Sequence, residues 1–228
     1  MTAATDDWRK VPIVDNGEAL VDVRHYTPDK ISSGATYFAW QIPGSLAECY
    51  VRDSVARRLA RAAQQLPNDL RLYVFDGWRP VTVQRYLFDQ YQAELHAKHP
   101  DWPAAELLAQ TQIFVSFPNT EPSCPSPHLT GGAVDLTLID TEGRLLDMGS
   151  AFDEFSFRSH TDYFSRLPKL SRQEHLQRDN RQLLLDVLGA QGLSNYPEEW
   201  WHFDYGNQFW ANRCGQVAVY GVVEFVGL

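Results

Sequence analysis

The sequence predicts an α+β fold, a single domain over residues 1–228 with a central, mainly antiparallel sheet flanked by helices. Three observations lead there. Several segments carry apolar residues at helical spacing, others alternate and are rich in β-formers, and the two kinds do not follow a regular βαβα rhythm. A chain of 228 residues with 44% hydrophobic and 21% charged residues is long and apolar enough to bury a sizeable core.

Along the chain, Leu20–Arg24 reads as a short strand, and residues 31–49 as loop with a further short strand. Val51, Val55, Leu59, Ala63 and Leu66 line one face of a helix that Pro67-Asn68-Asp69 stops. Leu70–Phe75 alternates as a strand. Pro80 then suits the first turn of a helix carrying Val83, Leu87, Tyr91 and Leu95, which ends near His99-Pro100. A short helix is expected over 103–110 and a strand at Ile113–Ser116. Gly132–Leu138 reads as another strand. Residues 140–172 form a long loop-rich stretch of the kind that is usually functional, here a candidate lid. Leu176, Leu183, Leu184, Val187 and Leu188 mark a helix over 173–189, with Gly192 as its stop. Strands are expected at Trp200–Tyr205 and over 216–226.

The bulk properties exclude several functions. Net charge is −9 and no basic run stands out, which argues against nucleic-acid binding. No apolar stretch is long enough to span a membrane. Residues 1–7 lack the basic start and apolar run of a secretory signal, so a cytoplasmic protein is expected. Cys49, Cys124 and Cys214 are odd in number and far apart, which suits a reducing compartment. Oligomeric state cannot be read from these features.

Chemistry concentrates in two clusters, Ser126–Asp135 and Glu198–His202. His128, Asp135 and His202 match the three protein ligands of a catalytic zinc, one ion per chain. His128 and Asp135 are seven residues apart, an odd separation that would set them on opposite faces of a straight strand. Gly131 and Gly132 between them permit a sharp turn or bulge that removes the objection. Glu199 lies three residues before His202; in a turn after Pro197 it can act as a base beside the metal without binding it. Cys124 is a rival ligand, since thiolate also binds zinc. His160 and His175 are spares with plainer structural or exposed roles, and His25, His96 and His99 read as surface residues. Trp78, Trp200 and Trp201 can wall a site or pack in the core.

The pattern Ser126-x-His128-x-x-Gly131-x-Ala133-x-Asp135, together with Glu199-x-Trp201-His202, resembles the D-alanyl-D-alanine dipeptidases, zinc peptidases related to D,D-carboxypeptidases and the hedgehog fold. Asp76-Gly77-Trp78-Arg79-Pro80 and Met148–Asp153 add to the likeness, which covers residues 10–225. Tyr37–Pro43 departs from the family pattern where the substrate pocket is shaped. The resemblance implies a hedgehog/D,D-peptidase-like fold and a zinc site of His128, Asp135 and His202. It implies hydrolysis of D-alanyl-D-alanine or a similar small dipeptide by a metal-activated water, with Glu199 as base and Arg79 stabilising the oxyanion. Ser126 and Asp153 correspond to positions that hold the substrate's amine, and Asp76 to a residue supporting Arg79. On the residues alone, Arg79 reads more simply as a surface ion pair with Asp76. Two other functions stand beside the first: a carboxypeptidase or endopeptidase acting on peptidoglycan stem peptides, and a zinc-bearing binding module without turnover.

Overall fold

The computed structural model describes residues 7–225. Its main sheet has five strands: β2 (Ile31–Ser33), β4 (Leu70–Asp76), β5 (Ala133–Asp140), β6 (Ser194–Asn195) and β7 (His202–Asp204). They lie in the order β2-β4-β5-β7-β6. Only β2 and β4 run parallel; the other neighbours are antiparallel, as expected. A separate two-stranded ribbon joins β1 (Leu20–Asp22) to β3 (Tyr50–Arg52).

Two helices form the core layer. Val55, Leu59 and Ala63 of α2 (Asp53–Gln65) and Leu184, Val187 and Leu188 of α5 (Arg172–Gly189) share a buried cluster with Leu72, Val74, Leu136 and Leu138 of the sheet. On β5, residues 134, 136 and 138 belong to that cluster, so the alternation of a strand turns Asp135 to the other face. On the far side of Pro80, α3 (Val81–Lys98) and α4 (Ala104–Phe114) pack together through Phe88, Tyr91 and Phe114. A four-residue helix, α1 (Thr36–Ala39), and a short α6 (Gln208–Cys214) complete the elements.

Several elements differ from expectation. No strand forms at Ile113–Ser116, because α4 runs on to Phe114 and turns its ring against Phe155 and Tyr91. The strand expected from Trp200 begins at His202, since the amides of Glu199 and His202 are spent on a turn to Tyr196 O and Glu199 O. The strand expected over 216–226 reduces to an isolated bridge between Ala218 and Ile13, and residue 226 lies outside the described residues. α5 ends at Gly189 with Ala190 as its cap, and Gly192, at φ 80°, turns the chain two residues later.

The stretch 140–172 is braced from α5 and from Trp200. Buried Arg181 on α5 donates to Met148 O, Arg158 O and His160 O at 2.7, 2.9 and 2.8 Å. Trp200 Nε1 donates to Ser150 Oγ at 2.9 Å. Among the described residues, no helix is long and apolar enough to cross a membrane.

Candidate metal centre

Three adjacent strands set three functional side chains in one row. Residues paired directly across a sheet point to the same face. A bulge in β4 between Val74 and Asp76 brings Asp76 opposite Asp135, and Asp135 in turn pairs with His202. His128 arrives from a 3-10 turn, Pro127–Thr130, that leads into β5. Gly131, at φ 69°, ends that turn in a left-handed conformation that suits glycine. Gly132 follows where a Cβ would come within 2.6 Å of Tyr205 O. The two glycines therefore let His128 fold back beside Asp135.

The result is a buried cluster. Ligand atoms of His128, Asp135 and His202 lie within 4.8 Å of one another. His128 Nε2 is 3.2 Å from His202 Nδ1 and 3.4 Å from Asp135 Oδ2, while Asp135 Oδ1 is 3.0 Å from His202 Nδ1.

The far sides of the two rings show that the cluster fits a metal. His128 Nδ1 lies 2.8 Å from Gly77 O, and His202 Nε2 lies 3.1 Å from Asp204 Oδ1. A carbonyl and a carboxylate only accept, so each far nitrogen carries the proton. Without a metal, burial lowers His202 but Asp204 and Asp135 raise it well above the usual imidazole range; a metal would take the place of the inner proton, and each near nitrogen would then present a lone pair inward. Two such lone pairs and a carboxylate form the donor set that zinc prefers, with outer partners of the usual kind. Burial alone would raise the Asp135 carboxyl, but the imidazoles of His128 and His202 hold it well below the usual carboxylate range.

Arg79 adjoins this set, and it is 7% exposed, which rules out a surface ion pair. Its Nε donates to Asp76 Oδ2 at 2.7 Å, Nη1 to Gln84 Oε1 at 2.9 Å and Nη2 to Asp135 Oδ2 at 3.0 Å. Its guanidinium carbon also sits 4.8 Å from the centre of the Tyr37 ring. A guanidinium has five N–H donors, so each Nη keeps one that these contacts do not use.

Glu199 stands in the turn before β7, buried, with a carboxylate oxygen 3.9 Å from His202 Nδ1. Burial raises its carboxyl well above the usual range; His202 opposes this, and Asp135 and Asp153 add to it. A carboxylate so placed has a high affinity for a proton.

These groups open onto a cavity of about 630 Å³, which also reaches Ser126, Asp153 and Cys124. Asp153 takes a left-handed conformation, φ 58°, rare for a residue with a side chain. Its Oδ2 accepts from Tyr37 Oη at 2.9 Å, and burial pushes its carboxyl up to about 7. Ser126 Oγ is tied into the wall: it donates to Phe117 O at 2.9 Å and accepts from Asn119 N at 3.0 Å. Cys124 lines the cavity outside the ligand cluster. His160 packs against Phe114 and Phe157, whereas His25, His96, His99 and His175 are exposed.

Gln84 and Asp204 escaped the sequence reading, and Tyr37 entered it only within the pocket-shaping stretch Tyr37–Pro43. Asp204 carried a usable signal, because a residue two beyond His202 on a strand shares its face. Gln84 and Tyr37 reach the site only through tertiary packing.

The family described as D-ala-D-ala dipeptidase, of the peptidase M15 group, matches residues 21–220. The chain belongs to that family. The family makes it a metallopeptidase. A D-alanyl-D-alanine dipeptidase from a Synechocystis species is 32% identical, over 94% of this chain and 95% of that protein. One from Escherichia coli is 30% identical, over 81% and 77%. Among solved structures, VanYB in complex with D-alanine-D-alanine matches with a TM-score of 0.44 and 17% identity, over 76% of this chain and 83% of that one.

Proposed function

We propose that this chain hydrolyses the peptide bond of D-alanyl-D-alanine or a similar small dipeptide, using one zinc ion held by His128, Asp135 and His202. The observation that carries this reading is the meeting of that ligand set with Glu199 and Arg79 at one cavity. The dipeptidases of Synechocystis and Escherichia coli, similar along most of their length, support the substrate class.

A zinc ion held there would lower the pKa of water to about 7 and polarise a carbonyl. The remaining work falls to the chain's own residues. Glu199 accepts a proton from the attacking water and returns it to the leaving amine. Arg79 directs its two remaining N–H groups at the carbonyl oxygen as negative charge develops there. Asp76 holds the Nε side of that guanidinium, so its planar fork is aimed before substrate arrives. Asp153 receives the substrate's ammonium, with the Tyr37 hydroxyl fixing its carboxylate. Ser126 sets the facing wall.

The cavity volume favours one second reading. At about 630 Å³ it lies in the range that takes drug-sized ligands, larger than two alanines require. A carboxypeptidase acting on a stem peptide would use that room. The three cysteines are free, with Cys214 exposed, which fits the cytoplasmic setting of the dipeptidase reading.

A hydrolysis screen separates these readings. D-Ala-D-Ala is offered beside L-Ala-L-Ala, mixed-chirality dipeptides and a D-Ala-terminated tripeptide, before and after dialysis against a chelator. Cleavage of D-Ala-D-Ala alone, lost on dialysis and restored by zinc, is the expected result. Preference for the tripeptide favours the carboxypeptidase. Cleavage of none leaves a metal-binding module without turnover.

A further inference from the structure

We propose that Gln84 is a positioning residue, one that sets the aim of Arg79 and registers it against the cavity wall at Ser116. The inference rests on the role given to Arg79 above.

Gln84 is 3% exposed and lies in the first turn of α3, which begins directly after Arg79 and Pro80. Both ends of its amide are engaged. Oε1 accepts from Arg79 Nη1 at 2.9 Å, and Nε2 donates to Ser116 O at 2.8 Å. The two partners agree on the orientation of the amide, because a guanidinium only donates and a carbonyl only accepts.

The need for a third contact is geometric. Asp76 on Nε and Asp135 on Nη2 hold the guanidinium at two points. With those two contacts alone, Nη1 lacks a polar partner, and only the bond to Cδ and the Tyr37 ring oppose a tilt of the plane. Both carboxylates also draw the positive charge toward the sheet and away from the cavity. Gln84 adds a polar contact at Nη1 that opposes that tilt. The free N–H on each Nη lies in the guanidinium plane, so fixing the plane fixes where both point.

The far end of the amide gives that plane a reference. Ser116 lines the cavity, and the next residues of the same segment, Phe117 and Asn119, are braced by Ser126. Gln84 therefore holds Arg79 in register with the wall that faces the substrate. A hydrophobic residue here would serve packing equally well; the donor and acceptor at a buried position are what packing does not require.

The test uses the full-length zinc enzyme and D-Ala-D-Ala. Gln84→Met keeps the length of the side chain and removes both contacts. Gln84→Glu keeps an acceptor for Arg79 and loses the donor to Ser116. The expected result for Gln84→Met is a fall in kcat of about tenfold or more, since a small misplacement of a reacting group has effects of that size. KM and the zinc content stay close to those of the parent. Gln84→Glu recovers part of kcat, because the contact to Arg79 returns while the register against Ser116 does not. In an Arg79→Ala background, Gln84→Met has no further effect, because the group it aims is gone.

An unchanged kcat in Gln84→Met overturns the proposal. So does the same fold loss with and without Arg79, which would make Gln84 a general support of the fold. Equal losses in Gln84→Glu and Gln84→Met overturn it too, and that comparison stands even if Gln84→Met folds poorly. If Arg79→Ala alone leaves kcat intact, the role of Arg79 falls and this inference with it. A depressed Arg79→Ala with additive losses overturns this inference alone.

Discussion

Asp76 and Asp135 face each other across adjacent strands, and Arg79 spans both carboxylates at 2.7 and 3.0 Å. The bulge before Asp76 makes the pair; without it the ladder would set Asp76 opposite Val134, on the core face. A buried carboxylate and a partly buried one on paired residues repel one another, and a cation between them stabilises both. Arg79 suits the place because its fork reaches several acceptors in one plane and still has donors left over.

Arg79→Lys tests that geometry. A single ammonium cannot serve Asp76, Gln84 and Asp135 and also present two donors to a substrate oxygen. We expect kcat to fall by about 10²–10³, the cost usual for losing an oxyanion donor, with a smaller change in KM. Steady-state kinetics on D-Ala-D-Ala checks this, and a kcat near that of the parent would leave Arg79 with a purely structural role.

Glu199→Ala separates base from ligand. The Glu199 carboxylate lies 3.9 Å from His202 Nδ1 and stands outside the cluster of His128, Asp135 and His202. Turnover is therefore expected to vanish while zinc remains bound at one ion per chain, read by metal analysis after gel filtration. Loss of the metal would place Glu199 among the ligands.

The metal cluster was legible in the sequence because local rules constrain it. Gly131 and Gly132 announced a reversal between His128 and Asp135, and Pro197 placed Glu199 in a turn before the strand. The bulge at Asp76 was not legible, since nothing in Val74-Phe75-Asp76 distinguishes it from regular strand. Arg79 had a plausible surface reading because its partners, Asp135 and Gln84, come from other elements. Ile113–Ser116 misled for a related reason. Its β-branched and aromatic residues favour strand, yet Ile113 and Phe114 end the helix α4, with Phe114 packed against Tyr91 and Phe155.

Asp204→Ala probes the outer partner of His202. Asp204 is fully buried, and its Oδ1 takes both the His202 ring proton and a 2.6 Å bond from Asn207 Nδ2. Removing it frees the ring to turn and leaves the Nε2 proton without an acceptor. Zinc affinity, measured by competition with a chelating dye, is expected to weaken by about 10–100-fold. An unchanged affinity would show that the ring is held by Asp135 and packing alone.

Asp153 supplies a pH dependence whose sign is determined. Burial raises its carboxyl from an ordinary 3.8 to about 7, the Arg79 cation opposing and Asp135 adding to the rise. The folded protein therefore holds a proton there that the unfolded chain releases between those two pH values. Stability from this group is fully present below the unfolded value and is lost as pH rises through about 7. Asp153→Asn removes the penalty, so melts of metal-free protein should show the variant gaining on the parent from pH 5 to pH 8. Binding runs the other way. An ionised Asp153 attracts the substrate ammonium, so KM for the dipeptide is expected to fall as pH rises through about 7 in the parent. The same limb should be missing in Asp153→Asn. A KM profile shared by the two proteins would remove Asp153 from ammonium recognition, whatever the melts show.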